Sequence, residues 1–324
     1  MEQRGIGRSG IEVSRLILGC GNFGGIGSAP AFFGQGTSRD DAMELLDAAW
    51  ELGITTFDTA DAYGGGTSET WLGEWLAAKG SAVRDRAVIT TKTFNPMSEG
   101  ADQGLGHARV IRQLETSLAR LRVERVALYM AHDRDAATPQ EETLQTFDEL
   151  LRAGKVGAVG ASNYGAEDLA EALELAKLER LPRFEWVQNS FSLLDRGDRQ
   201  TIFPLCHEHG IGFTPFSPLA GGWLTGKYRR GEALPPGSRM TKRPEPYAGF
   251  TTDRVFDVLE RFEARANEHG VSMAALAIAW LLATPEITAV VVGPNSVAQF
   301  GPVAESLDVK LSDSEHHELA EWFS

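Results

Sequence analysis

From Thr37 onward the chain alternates two kinds of hydrophobic pattern. Apolar residues three and four apart, such as Ala42, Leu45, Leu46 and Ala49, mark amphipathic helices, and short continuous apolar runs between them mark buried strands. This reading predicts helices over residues 39–52, 68–79, 107–121, 140–152, 165–179, 199–209, 253–269 and 272–283. It predicts strands over 54–57, 87–91, 126–131, 156–161, 184–189, 211–215 and 287–292. Thr37 or Ser38 can cap the first helix, and Gly210 can end the one over 199–209. Adding the apolar Leu16–Leu18 brings the strands to eight. Eight strands alternating with helices, with no linker or charge run as a boundary, predict one closed α/β barrel of the (β/α)8 type over 1–324 rather than an open sheet.

Two segments depart from that rhythm. Ahead of Leu16, two short alternating runs flank Arg8-Ser9-Gly10 and predict a β-hairpin. Residues 217–250 form a Gly/Pro-rich insertion, and the long loops 94–106 and 222–250 lack a regular period. They are expected to form long substrate loops at the C-terminal rim that order partly on cofactor binding.

The strand ends carry the candidate chemistry. Asp58 and Tyr63 follow the apolar run Leu52-Gly53-Ile54-Thr55-Thr56-Phe57. A tyrosine, with an ordinary pKa of about 10, works as a general acid near neutral pH when a nearby cation pulls that value down. A lysine close in space is therefore expected. The next strand ends in Lys92 and the one after it in His132, and a parallel barrel gathers such ends at one rim. His207 and His209 lie two apart on a helix and face different ways, and His316-His317 belong to a polar terminal helix, so no metal site is indicated.

Gly19-Cys20-Gly21-Asn22-Phe23-Gly24 matches G-x-G-x-x-G, but the dinucleotide fingerprint needs a helix opening on those glycines. Here Gly25, Gly27, Pro30, Gly34 and Gly36 follow, which is a loop able to approach a ligand closely. The net charge of −14 over 324 residues argues against nucleic acid or an anionic membrane as partner. Two cysteines, Cys20 and Cys206, do not make a disulfide framework, and with no basic-then-apolar leader a cytoplasmic location is expected.

Asp58-Thr59-Ala60-Asp61-Ala62-Tyr63, Thr91-Lys92, His132, Gly160-Ala161-Ser162-Asn163, Gln188, Phe216-Ser217-Pro218-Leu219 and Gly226-Lys227-Tyr228 occur in this order, each at a strand end. In them the chain resembles the aldo-keto reductases from the first strand to residue 300 or so. The resemblance implies that Asp58, Tyr63, Lys92 and His132 are the catalytic residues of a carbonyl reduction driven by hydride from a reduced nicotinamide. Tyr63 would donate the proton, Lys92 would lower its pKa, Asp58 would hold Lys92 charged, and a neutral His132 would orient the carbonyl.

It further implies that Ser162, Asn163 and Gln188 bind the carboxamide, and that Phe216 stacks on the ring where relatives usually carry Tyr or Trp. Backbone groups of Ser217, Leu219 and Gly221, with Lys227, would meet the pyrophosphate, and Asn22 the ribose side. Gly293, Asn295 and Gln299 follow the last strand on the adenosine side. Here Pro302-Val303 replaces the family's adenine-gripping Glu-Asn, and no Lys or Arg stands at 293–299. Arg239 resembles a family arginine that can serve a 2′-phosphate, which favours NADPH, with NADH possible. Substrate would be a small carbonyl compound; the loop aromatics Phe23, Phe32, Phe33, Phe94, Trp223, Tyr247 and Phe250 can line an apolar pocket for it or, equally, pack the loops together. Alternatives implied by similar proteins are an NAD-dependent sugar or alcohol dehydrogenase and a potassium-channel regulatory subunit. The latter carry Asn where His132 stands.

Overall fold

Each barrel strand pairs in parallel with its sequence neighbour, so the chain winds one way around a ring. A computed structural model describes residues 1–324. The N-terminal hairpin is β1 (Gln3–Gly5) and β2 (Glu12–Ser14), antiparallel with Arg4 opposite Val13. The ring strands are β3 (Leu16–Gly19), β4 (Thr56–Asp58), β5 (Val88–Thr93), β6 (Val126–Ala131), β7 (Val156–Ser162), β8 (Trp186–Ser190), β9 (Gly212–Phe216) and β10 (Val290–Val292), in the order β10-β3-β4-β5-β6-β7-β8-β9. Around them lie α1 (Arg39–Glu51), α2 (Thr67–Lys79), α3 (Ser81–Arg84), α4 (His107–Leu121), α5 (Gln140–Arg152), α6 (Ala166–Glu179), α7 (Asp198–His209), α8 (Arg239–Lys242), α9 (Asp253–Glu268), α10 (Met273–Ala283), α11 (Phe300–Glu305) and α12 (Asp313–Trp322).

The ring is nearly closed, and the thin place is between β9 and β10. Ladder pairing there reduces to a bridge from Phe213 to Ile287, with the Thr288 N–H donating to the Phe213 carbonyl at 2.8 Å. That pairing occupies residues 287–288, and the strand proper begins only at Val290, later than the apolar run suggested. Arg15 secures the region from the side. Its guanidinium donates to the carbonyls of Ile287 and Thr288, both at 2.8 Å, and to that of Leu282.

Alternation along the strands splits the apolar residues into two layers. Ile17, Leu128, Met130, Ala158, Trp186, Ala289 and Val291 point into the barrel, where Ile6 and Val13 of the hairpin join them. The hairpin thus plugs the N-terminal end and leaves the C-terminal end for ligands. The alternate residues, including Leu16, Leu18, Phe57, Ile89 and Tyr129, pack outward against the helices. Ser38, Thr252 and Ser272 cap α1, α9 and α10 by accepting from the backbone N–H three residues on. Leu276, Ile278, Trp280 and Leu281 of α10 are fully buried, each worth roughly 1.5–3 kcal/mol of burial. No helix is long and apolar enough to cross a membrane.

Candidate active site

β4 and β5 aim alternate side chains into the barrel, and register puts Asp58 opposite Thr90 and Lys92 opposite Met130. Asp58 and Lys92 are therefore the last inward residues above the apolar interior. Tyr63 follows β4 on a tight turn, Tyr63–Gly66, whose Gly64, Gly65 and Gly66 have φ of 57°, 67° and 95°. Gly64 also lies against the backbone of the 19–36 loop, where a Cβ would fall 2.6 Å from the Phe23 carbonyl oxygen. Only glycine satisfies both the left-handed backbone and that approach.

The four side chains meet. Lys92 Nζ donates to Asp58 Oδ2 at 2.7 Å, to the Thr59 carbonyl at 2.9 Å and to the Tyr63 hydroxyl at 3.3 Å, using all three hydrogens. Asp58 Oδ1 accepts from Thr90 Oγ1 at 2.7 Å and from Gln188 Nε2 at 3.1 Å. His132 Nε2 is 3.5 Å from the Tyr63 oxygen, and the two rings meet edge-on. On its far side, His132 Nδ1 is 3.2 Å from Asn95 Nδ2.

Electrostatics assign charge states. Burial works against the Lys92 ammonium, but Asp58 and the Tyr63 phenol outweigh it and hold its pKa above the ordinary value. Burial, and then the Lys92 charge, hold His132 well below the usual histidine range, so the ring is neutral. Tyr63 departs from the sequence expectation. Burial pushes its pKa up, Lys92 pulls it down, Asp58 pushes it up again, and the net direction is upward. In the protein alone Tyr63 is a protonated phenol, because burial disfavours the phenolate more than Lys92 favours it, and Asp58 adds to the effect of burial.

A second group of polar side chains rings the mouth beside β8, β9 and β10. Ser162 and Gln188 are paired in register and buried, and Asn163, with φ 58°, donates to the His132 carbonyl at 2.8 Å. Gln188 has already given an N–H to Asp58, so its oxygen is the atom left for a ligand N–H. Phe216 is half-buried against the interior cluster. Beyond it, Ser217 Oγ bonds the Tyr247 hydroxyl at 3.0 Å, and the Tyr247 ring lies on Gly221. The N–H groups of Ala220 and Gly222 close turns onto the carbonyls of Ser217 and Leu219.

Lys227, Arg239 and Arg243 gather on this side without a carboxylate, although neighbouring Arg229 and Arg230 pair with Glu263 and with Asp253, Asp257 and Glu260. Burial and then Arg239 push the Lys227 pKa down. Arg239 Nη2 reaches Asn22 Oδ1 at 3.1 Å, and Arg243 Nη1 reaches the Ile26 carbonyl at 3.2 Å. Both fasten the 222–250 segment to the 19–36 loop. Gly293 lies beside Asn22, and Asn295 and Gln299 are exposed on the same rim, where the Asn295 N–H donates to Gln299 Oε1 at 2.8 Å.

The Aldo/keto reductase family model matches residues 15–322. The chain belongs to the aldo-keto reductase family. It is 34% identical over 320 residues to the uncharacterized oxidoreductase YrpG of Bacillus subtilis, covering 96% of this chain and 92% of that one. It is 32% identical over 317 residues to L-glyceraldehyde 3-phosphate reductase of Escherichia coli, covering 95% and 88%. It is also 32% identical over 314 residues to a probable voltage-gated potassium channel subunit beta of Oryza sativa, covering 95% and 92%.

As an aldo-keto reductase the chain is an oxidoreductase acting on small carbonyl compounds, in a family that generally works with a nicotinamide cofactor. The G-x-G-x-x-G run is indeed loop, held by bridges from Phe23 to Thr37 and Gly25 to Phe33. Of the loop aromatics, Phe23 and Trp223 follow the packing alternative and are core residues, 1% and 0% exposed. Three polar residues escaped the sequence reading: Asn95, Arg109 and Arg243. Each acts through a contact with a loop elsewhere in the chain, which leaves no local pattern.

Proposed function

We propose that this aldo-keto reductase reduces an aldehyde or ketone to an alcohol with NADPH, using Tyr63 as general acid. The observation that carries the reading is the Tyr63 hydroxyl, in reach of both Lys92 Nζ at 3.3 Å and His132 Nε2 at 3.5 Å above the barrel interior. NADPH held at this rim would supply the hydride that the carbonyl carbon takes. Negative charge then develops on the carbonyl oxygen, and a protonated phenol beside it is a ready proton donor. Lys92 offsets the phenolate left behind, and Asp58 holds that ammonium in place. A neutral His132 donates its own hydrogen bond to the same oxygen and aligns it.

Three cations without a carboxylate partner, in a chain of net charge −14, support a multiply charged phosphate ligand, because like charges held close together repel one another until an anion compensates them. Lys227 with the backbone at Ser217, Leu219 and Gly221 suits the pyrophosphate, and Arg239 suits a 2′-phosphate. A Cβ at Gly221 would fall 2.6 Å from the Tyr247 ring and one at Gly222 2.3 Å from the Lys227 side chain, so only glycine lets those side chains lie on this loop. Ser162, Asn163 and the Gln188 oxygen suit the carboxamide, with Phe216 against its ring and Asn22, Gly293, Asn295 and Gln299 toward the adenosine.

The test is a carbonyl panel that includes glyceraldehyde 3-phosphate, run with NADPH and with NADH and read by loss of nicotinamide absorbance. Turnover with NADPH is expected. Activity confined to alcohols with NAD favours a dehydrogenase of the same site. The likeness to the rice channel subunit supports a second reading as a cofactor-sensing protein, which tight cofactor binding without turnover of any carbonyl would favour.

A further inference from the structure

The loop 94–106 reaches the active site at Asn95, and its hold on the barrel is a buried arginine. Arg109, on the first turn of α4 and 5% exposed, donates to Thr93 Oγ1 at 2.8 Å, the Gly104 carbonyl at 2.9 Å and the Asn95 carbonyl at 2.7 Å. The Gly104 N–H returns to the Phe94 carbonyl at 2.7 Å, and the Leu105 N–H donates to Asp135 at 2.7 Å. One planar guanidinium therefore binds both ends of the loop and the end of β5. The Asn95 amide is thereby set against His132 Nδ1 at 3.2 Å.

That contact bears on a choice His132 must make. A neutral imidazole carries one hydrogen, and the partner of one nitrogen decides which. Tyr63 already accepts from Lys92, and its own hydrogen is the one to be delivered to substrate. Were Nε2 the bare nitrogen, it would take that hydrogen itself, 3.5 Å away. With Asn95 Nδ2 donating to Nδ1, the hydrogen stays on Nε2, and Tyr63 and His132 both present donors to one carbonyl oxygen. We propose that Asn95, held by Arg109, is a positioning residue that sets the His132 tautomer with hydrogen on Nε2.

The inference rests on the reading of His132 as the group that aligns the carbonyl, and its test reads the tautomer without any substrate. In protein labelled with 15N-histidine, the His132 ring nitrogens, assigned by their loss in His132→Gln, report which one is protonated. The wild type is expected to show hydrogen on Nε2, Asn95→Ala a mixture, and Asn95→Asp, which keeps the shape but reverses the donor, hydrogen on Nδ1. In turnover, Asn95→Ala is expected to lower kcat by about fivefold to tenfold, the worth of one neutral hydrogen bond, with KM changing less. A wild-type ring protonated on Nδ1, or one tautomer unchanged through all three proteins, overturns the proposal. If the tautomers follow this order but no carbonyl is turned over, the inference stands and the reductase reading fails.

Discussion

Lys92 Nζ lies 2.7 Å from Asp58 Oδ2 with both side chains sealed from solvent, 0% and 3% exposed. Removing one partner of such a pair strands the other charge. Lys92→Met is expected to lower unfolding free energy by roughly 3–5 kcal/mol, and the double variant with Asp58→Asn should recover part of the loss. Urea denaturation measures both. A single variant as stable as the wild type would show that Asp58 does not depend on the lysine.

Tyr63→Phe removes the hydroxyl and little else. Turnover is expected to fall by about 10²–10⁴-fold, while the cofactor dissociation constant, read by fluorescence titration, stays nearly unchanged. Retained turnover would move the proton donor to another group.

Asp61 gives the fold a pH dependence of its own. It is fully buried, with Oδ2 accepting from Thr93 Oγ1 at 2.6 Å and Oδ1 lacking a partner. Burial raises its pKa to about 7, against the Thr93 hydrogen bond, with Glu69 adding to the rise. The folded value lies above the unfolded one, about 3.9, so the folded state holds the proton more tightly. Its contribution to stability is full below pH ~4 and is lost as pH rises to ~7, on the order of a few kcal/mol. Urea midpoints from pH 5 to 8 should fall in the wild type, and Asp61→Asn, which cannot titrate, should flatten that slope. An equal slope in both proteins assigns it to other groups.

On the proposed reading, Arg239 distinguishes the two cofactors. Arg239→Ala is expected to weaken NADPH binding by about tenfold to a hundredfold, the range of a charge-assisted hydrogen bond, and NADH binding far less. Asn295→Arg should shift preference toward the phosphorylated form if its rim faces the adenosine ribose. Equal losses for the two cofactors on removing Arg239 would take it away from the 2′-phosphate.

Helices were the most legible part of the chain. The apolar spacing predicts 107–121 and 140–152, the spans that α4 and α5 occupy, since a period of three to four is local to the helix. Strand ends shift by one to three residues, as at β4, β8 and β10, because pairing with neighbours far along the chain sets them. The motif order pointed to Asp58, Tyr63, Lys92 and His132, and all four converge. The raised pKa of Tyr63 was not legible, since it depends on burial and on how Asp58 and Lys92 balance. Nor was the hold of Arg109 on Asn95, since nothing in the run Thr93-Phe94-Asn95-Pro96 indicates that an arginine in the next helix grips its backbone.

The pairing of β3 with β10 joins Leu16 to Val290 and Leu18 to Val292, near opposite ends of the chain. During synthesis the edge of β3 stays exposed until almost the whole protein has emerged, and the clasp of Arg15 on Ile287 and Thr288 has nothing to grip. Closure of the circle therefore cannot precede the emergence of residues 287–292. A nascent chain released before residue 287 would leave the ribosome with an open sheet edge able to adhere to a neighbour's.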